Sequence, residues 1–421
     1  MSFRIKTYGI ILTALILASF INAPEEKVFV TENFNFSVHQ LKFMLAEANK
    51  RDTLFPRTTD PNGRLKLTGK YEWTSGFFAG SLWYAYEGTK NETLKNEAVK
   101  WTEKLEALQN FTEHHDLGFM VYCSYGNAYR LTKNEKYKQI LIRAAQSLGT
   151  RFSEKTGSIK SWDGFGSWDG QHNYKFPVII DNMMNLELLF FASAATGNPS
   201  YKDIAIRHAD NVLKNQLRAD YSCHHVVCYD PESGKVLSRE TAQGYADNSV
   251  WARGQSWGIY GFTVAYRETG DRRYLDAAMK MADFYINNSN LPSDKVPYWD
   301  FNANDTGYTP SIKSAALTTP VKYRDASAAA ITASALFELS TYSKSGDNSY
   351  RNTATHILRS LASPAYRAEP DKNGGFILEH CVGSIPHGVE IDVPLVYADY
   401  YFLEALNRYN LILEHKDPVK N

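Results

Sequence analysis

A short turn recurs along this chain, and it constrains the fold more than any other feature. Its copies read Leu131-Thr-Lys-Asn134-Glu-Lys-Tyr137, Thr196-Gly-Asn198-Pro-Ser-Tyr201, Thr269-Gly-Asp271-Arg-Arg-Tyr274 and Ser345-Gly-Asp347-Asn-Ser-Tyr350, with a weaker copy at Gly88-Thr-Lys-Asn91. Each has the chemistry of a helix hairpin: glycine takes the left-handed cap that ends one helix, and Asp or Asn caps the next. Repeats of this kind are the signature of stacked or closed helical arrays.

The turns predict helix pairs over 76–88 with 93–109, 116–131 with 134–150, 179–196 with 199–214, 255–269 with 271–287, and 327–343 with 347–362. Two helices, 36–50 and 391–411, remain to pair across the termini. Within a pair the patterns differ. Ile179, Ile180, Met183, Met184, Leu186, Leu188, Leu189 and Phe190 leave 179–196 little polar surface, as in a helix buried all round. In 199–214 the apolar residues form one stripe among charges. Twelve helices, six inner and six outer, make an all-α (α/α)6 toroid of one domain over residues 24–421.

The 46 basic residues equal the 46 acidic ones, so no global field draws the chain to nucleic acid or an anionic membrane. Residues 1–23 read as a signal peptide, with Arg4 and Lys6 before the apolar run Ile10 to Phe20 and small residues at Ala18, Ser19 and Ala23. Export to the periplasm is the expectation, with no membrane span in the mature chain. Four scattered cysteines form no disulfide framework and no metal motif. Neither a metal nor another cofactor is expected.

In such a toroid the inner helices start at one end of the barrel. The segments at those starts are Trp73-Thr-Ser75, His114-His-Asp116, Asp181-Asn182, Trp251-Ala-Arg253, Arg324-Asp325 and Glu390-Ile-Asp392. Helix N-termini favour anions, Arg253 adds a charge-assisted donor, and tryptophans offer flat faces to sugar rings. A negatively charged saccharide satisfies both features. Asp181 follows the apolar run Pro177-Val-Ile-Ile180, surroundings that penalise ionisation and suit an acid/base; the alternative is a plain helix cap. Asp116 is the second carboxylate, and a pair of acids also fits ordinary glycoside hydrolysis. His224 and His225 lie in an apolar stretch, Tyr221 to Tyr229, expected to form a hairpin over the rim.

Several strings carry a family resemblance: Trp73-Thr-Ser-Gly-Phe-Phe-Ala-Gly-Ser-Leu-Trp83, His115-Asp-Leu-Gly-Phe119, Pro177-Val-Ile-Ile-Asp-Asn-Met-Met-Asn185, Gln243-Gly-Tyr245, Trp251-Ala-Arg-Gly-Gln-Ser-Trp257 and Glu390-Ile-Asp-Val-Pro-Leu-Val-Tyr-Ala-Asp-Tyr400. Together they resemble the unsaturated glucuronyl hydrolases of glycoside hydrolase family 88. The resemblance implies hydration of the C4=C5 double bond on the terminal uronate of a lyase-generated oligosaccharide. In it Asp181 protonates C4 and activates water, and Asp116 binds hydroxyls and tunes Asp181. It further implies that His115, His225 and Gln243 hold substrate, that Trp73, Trp162 and Trp257 wall the pocket, and that Arg253 assists. A C-terminal His-Ser-x-x-Ser pattern, whose serines contact the uronate carboxylate in the family, corresponds here to His380-Cys381-Val-Gly-Ser384, which keeps His380 and Ser384 and has Cys381 at the first serine. Rival readings are an unsaturated rhamnogalacturonyl hydrolase and, in other classes, a sugar 2-epimerase, a polysaccharide lyase or a non-catalytic carbohydrate binder.

Overall fold

The computed structural model describes residues 5–419, with side chains from residue 24 onward; the expected signal segment lies outside the residues whose side chains are described. The helices are α1 (Ile5–Ala48), α2 (Ser75–Thr89), α3 (Glu92–Glu103), α4 (Asn127–Thr132), α5 (Glu135–Gly149), α6 (Leu186–Thr196), α7 (Pro199–Asn215), α8 (Ala252–Thr269), α9 (Arg272–Asn287), α10 (Ala326–Leu339), α11 (Ser349–Leu361) and α12 (Val396–Leu413). The even-numbered helices close a ring, with the π-helical segment Gly118–Gly126 before α4 bridging α2 to α6 and α12 packed back on α2. The odd-numbered helices lie outside, and α1 pairs with α12 across the termini. This is the (α/α)6 barrel. Among the described residues no helix is long and apolar enough to cross a membrane.

The repeated turn does what its residues dictate. Asn91, Asn134, Asn198, Asp271 and Asp347 each accept the backbone N–H two residues on. Gly197 and Gly270 adopt φ of 73° and 71°, while Lys90 and Lys133 take the left-handed position at the two turns that have lysine there. The recurring tyrosine staples neighbouring outer helices: Tyr137 donates to Glu103 at 3.0 Å, and Tyr274 to Asp210 and Tyr350 to Asp283 each at 2.9 Å.

Three inner elements depart from the expected helices at the end where the polar segments gather. The run expected from 116 is a π-helix over Gly118–Gly126 before α4. The run expected from 179 is a strand, Phe176–Ile179, followed by a 3-10 turn, Ile180–Asn185, so α6 starts only at Leu186. The run expected from 391 opens as a strand, Val389–Val393. The second has a clear cause. Val178, Ile179 and Ile180 favour extended backbone, and their N–H groups find partners outside a helix: Ile179 bonds Ser161 Oγ at 3.0 Å and Ile180 bonds the His225 carbonyl at 3.0 Å.

The stretch expected as a hairpin is the centre of a three-stranded sheet. Val226–Tyr229 pairs antiparallel with both Phe176–Ile179 and Val236–Glu240. All four of its residues are buried because both faces are covered: Val227 and Tyr229 pack with Phe176 and Val178, while Val226 and Cys228 pack with Ile179, Trp162 and Phe165. All four cysteines are buried free thiols.

Candidate active site

Asp181 sits in the 3-10 turn that follows the strand, 7% exposed, with Oδ2 lacking a hydrogen-bond partner among the described residues. Burial pushes its carboxyl up to about 7; Arg253 opposes the rise and the Asp116 carboxylate adds to it. Its nearest basic neighbour is His225, whose Nε2 stands 3.7 Å from Oδ2. His225 Nδ1 accepts the N–H groups of Ala242 and Gln243, each at 3.1 Å. The imidazole proton is therefore on Nε2, facing Asp181. Burial holds His225 well below its ordinary value, so it acts as a neutral donor.

Asp116 is built differently. Burial works to raise its carboxyl, but His115 and His114 prevail and hold it below the usual carboxylate value. His114 Nδ1 lies 3.0 Å from Oδ2 and His115 Nε2 lies 3.4 Å from Oδ1. His115 repeats the arrangement of His225: Asn185 donates to its Nδ1 at 3.2 Å, leaving the proton on Nε2, and burial lowers it to about 4. That orientation of Asn185 is set by its Oδ1, which accepts the Phe119 N–H at 3.2 Å. Two buried acids lining one cavity thus differ in state at neutral pH. Asp116 is ionised, and Asp181 exchanges its proton readily.

Over them opens a cavity of about 560 Å³, whose lining includes Trp73, Asp116, Asp181, Arg253 and Ile179, and, toward solvent, Trp162, Phe165, Trp168, Gln243 and His387. Arg253, 1% exposed, bonds the carbonyl oxygens of Val382 and, at 2.7 Å, Gly383, and pairs with Asp325 at 3.3 Å. Its Nε has no hydrogen-bond partner among the described residues. Arg253 thereby pins the strand Cys381–Ser384 beside the cavity and brings its charge to the lining.

Of the expected site residues, Trp73, Asp116, Trp162, Asp181, Gln243 and Arg253 line the cavity. His115 and His225 stand behind the two acids. Trp257 is fully buried against Phe119 and Tyr401. Ser384 is 4% exposed and bonds His387 Nδ1 at 2.6 Å. Three of the expected rim residues turn elsewhere: Arg324 pairs with Asp294, Glu390 with Arg57, and Asp392 with His380. All three lie near the starts of inner elements, but their side chains are engaged by these partners and none of them lines the cavity. Trp168 and His387 line the cavity without having been singled out. Trp168 left a trace in the doubled string Trp162-Asp-Gly164 and Trp168-Asp-Gly170; His387, in a turn after Pro386, left none.

The model of Glycosyl Hydrolase Family 88 matches residues 48–411. An unsaturated glucuronyl hydrolase from Formosa agariphila is 47% identical over 365 residues, 86% of each chain. An unsaturated chondroitin disaccharide hydrolase from Streptococcus agalactiae is 35% identical, over 84% of this chain and 85% of its own. Among solved structures, an unsaturated glucuronyl hydrolase specific for heparin aligns with a TM-score of 0.83 at 43% identity, covering 92% of this chain and 98% of its own. The fold, the paired acids and these matches agree, and the chain belongs to glycosyl hydrolase family 88.

Proposed function

We propose that this protein releases a 4,5-unsaturated uronic acid from the non-reducing end of lyase-generated oligosaccharides, such as those of glycosaminoglycans, by hydrating the double bond. The observation that carries this reading is the contrast between the two acids: Asp181 titrates at about 7 beneath an open cavity, while Asp116 beside it stays ionised.

An alkene needs a proton at one carbon and a hydroxyl at its neighbour, delivered by one group that can give and then take a proton. Asp181, protonated, donates to C4 of the uronate. Water adds at C5 and returns its proton to the Asp181 carboxylate, so the acid ends as it began. The C5 hemiketal then opens to a ketone, and the hemiacetal left at C1 collapses to an aldehyde and releases the leaving sugar as an alcohol. One water is consumed, and C1 is never attacked. In this reading Asp116 binds ring hydroxyls and its charge helps keep Asp181 protonated. His115, His225 and Gln243 orient acids and substrate, Trp73 and Trp162 wall the ring, and Trp257 backs the floor. Arg253 supplies positive charge for the uronate carboxylate. Residues 24–421 form one catalytic barrel, and residues 1–23 direct its export, a reading supported by the Arg4–Lys6 and Ile10–Phe20 pattern.

The test is spectroscopic. Unsaturated disaccharides lose their alkene absorbance as the protein acts, and saturated glycosides of the same sugars are left intact. Equal cleavage of both would overturn the hydration route, and a preference for rhamnose-linked substrates would shift the reading to a rhamnogalacturonyl hydrolase. Asp181→Asn lowers kcat by about 10³-fold or more with the fold retained; near-normal turnover would remove Asp181 from the central role.

A further inference from the structure

We propose that a groove on the outside of the barrel, between the end of α1, the hairpin 54–69 and the turn 371–374, is a second binding site for acidic polysaccharide, separate from the cavity over the two acids. The inference goes beyond the proposed function and takes only the class of ligand, a uronate-bearing chain, from it.

The groove encloses about 810 Å³, within the range of ligand sites, and shares no lining residue with the cavity of Asp116 and Asp181. Its floor is apolar. Leu65 and Leu67 stand two apart on the strand Leu65–Gly69, so alternation sends both to one face, where they are half-buried. Leu54 and Phe43 extend that floor, and Phe43, on α1, is 37% exposed, a ring left open to solvent.

The charges around the floor do not balance. Glu47 pairs with Lys50 at 2.6 Å and Asp371 with His39 at 2.9 Å, which engages both acids of the lining. Arg51, Arg64 and Lys372 are exposed and form no ion pair among the described residues; Arg64 feels the Asp60 carboxylate in its own turn without pairing with it. These three cations come from separate elements: Arg51 just after α1, Arg64 at the turn of the hairpin, and Lys372 on the turn 371–374. In a chain with equal numbers of acidic and basic residues, such a local excess attracts anions. A sugar polyanion meets both parts of the groove, with pyranose faces on the apolar floor and carboxylate or sulfate groups at the rim.

The wall that carries Lys372 is built and fixed. Asp371 and Asn373 hold left-handed φ of 60° and 58°, beside Gly374 and Gly375 at 62° and 89°. Such backbone is costly for residues with a side chain and persists where its surroundings enforce it. Gln40, buried on α1, does so: its Oε1 accepts the Asp371 N–H at 2.9 Å, and its Nε2 donates to the carbonyls of Lys372 and Phe376 at 3.3 Å and 2.9 Å. Asn373 Nδ2 donates to the Leu378 carbonyl at 3.0 Å. A wall set before any ligand arrives lowers the ordering cost of binding.

The experiment measures binding of a saturated chondroitin sulfate octasaccharide to the full chain by calorimetry, alongside turnover of an unsaturated uronate disaccharide. The triple variant Arg51→Ala, Arg64→Ala, Lys372→Ala changes exposed side chains only. It weakens octasaccharide binding by about tenfold at low ionic strength, and the difference shrinks in high salt. Phe43→Ala weakens binding by about threefold in either condition. Both variants keep wild-type kcat/KM on the disaccharide, because no changed residue lines the cavity. Octasaccharide binding by the triple variant equal to wild type, or a matching fall in its disaccharide turnover, would overturn the groove. So would an octaglutamate peptide bound as tightly as the octasaccharide, which would mark a general anion patch. Those outcomes leave the proposed function standing. Wild-type protein without disaccharide turnover would overturn that function alone, since octasaccharide binding is read separately.

Discussion

The two ends of the barrel use the same residue types to opposite effect. At the N-terminal ends of the inner helices, Asp181 is buried with Oδ2 unpartnered among the described residues, and Arg253 gives its terminal nitrogens to the carbonyls of Val382 and Gly383 and to Asp325. At the other end, roughly 20 Å along α8 at 1.5 Å per residue, carboxylates and guanidinium groups are matched. Arg267 bonds Glu187, Glu268 and Glu338, and Arg408 pairs with Glu338 at 3.2 Å and Glu404 at 3.6 Å. Tyr84, Tyr260 and Ser334 donate to Glu404 as well. This network joins α2, α6, α8, α10 and α12, and its arginines lie toward helix C-termini, where positive charge is favoured. A buried acid with complete partners is a brace; one left short of partners is a proton donor.

Breaking the brace gives the largest expected loss of stability. Glu338, 1% exposed, serves two arginines at once. Glu338→Gln takes one anion from each, though Arg267 keeps Glu187 and Glu268 and Arg408 keeps Glu404, and the charge-assisted bonds lost cost about 3 kcal/mol, read as a lower midpoint in denaturant with an unchanged slope. Activity of the folded fraction is little altered, because the cavity floor is a separate cluster. A midpoint within error of wild type would show that the network is incidental.

At the other end, removing a carboxylate has the opposite sign. Asp181 keeps its proton to about 7, against an ordinary 3.8, so between these values the native state holds a proton that the unfolded chain has lost. Stability contributed by this group is therefore lost as pH rises through that window and is not regained above it. Asp181→Asn removes the titration and raises stability by no more than about 4 kcal/mol above pH 7, shrinking toward zero near pH 4. Thermal unfolding at pH 5 and pH 8.5 checks it; a variant equally or less stable than wild type at the higher pH would mean that Asp181 carries no burial penalty.

The barrel itself was legible because its information is local and repeated. A capping Asn or Asp at each turn, followed by a tyrosine at all but the first, announces helix hairpins, and Tyr137, Tyr274 and Tyr350 staple one outer helix to the next. The site was legible only in outline. An apolar run such as Pro177 to Ile180 reads equally well as strand or helix, and the deciding bonds come from Ser161 and His225, distant in sequence. Charge near the rim does not reveal its direction: Arg324, Glu390 and Asp392 sit near the starts of inner elements, yet their side chains turn to partners outside the cavity lining. Nor does a raised carboxyl alone mark catalysis. Burial pushes Asp399 up to about 8, yet it accepts the N–H groups of Ile377 and Leu378 and lies outside the cavity lining. What separates Asp181 is its open space and the donor facing it.

The smallest effect tests whether the two acids on the floor act as a pair. The negative charge of Asp116 is one of the influences raising Asp181, so Asp116→Asn should lower the Asp181 pKa. Protonation at C4 requires the acid form, and kcat/KM falls as pH rises through that value. The alkaline limb should therefore move to lower pH in Asp116→Asn, by less than about one unit, as expected of a secondary charge effect beside burial. Asp116 also meets substrate in the proposed mechanism, so the overall rate drops; the position of the limb is the informative reading. His114 is a competing source of such a limb. Burial works to lower it, but its bond to Asp116 raises it above its ordinary 6.5. His114→Gln separates the two, because a limb set by Asp181 survives that change, whereas one set by His114 disappears. His115, lowered to about 4, is neutral across this range and contributes no limb. A limb that stays in place or moves to higher pH in Asp116→Asn would show that Asp181 does not feel its neighbour's charge, and would leave burial alone as the reason it holds its proton.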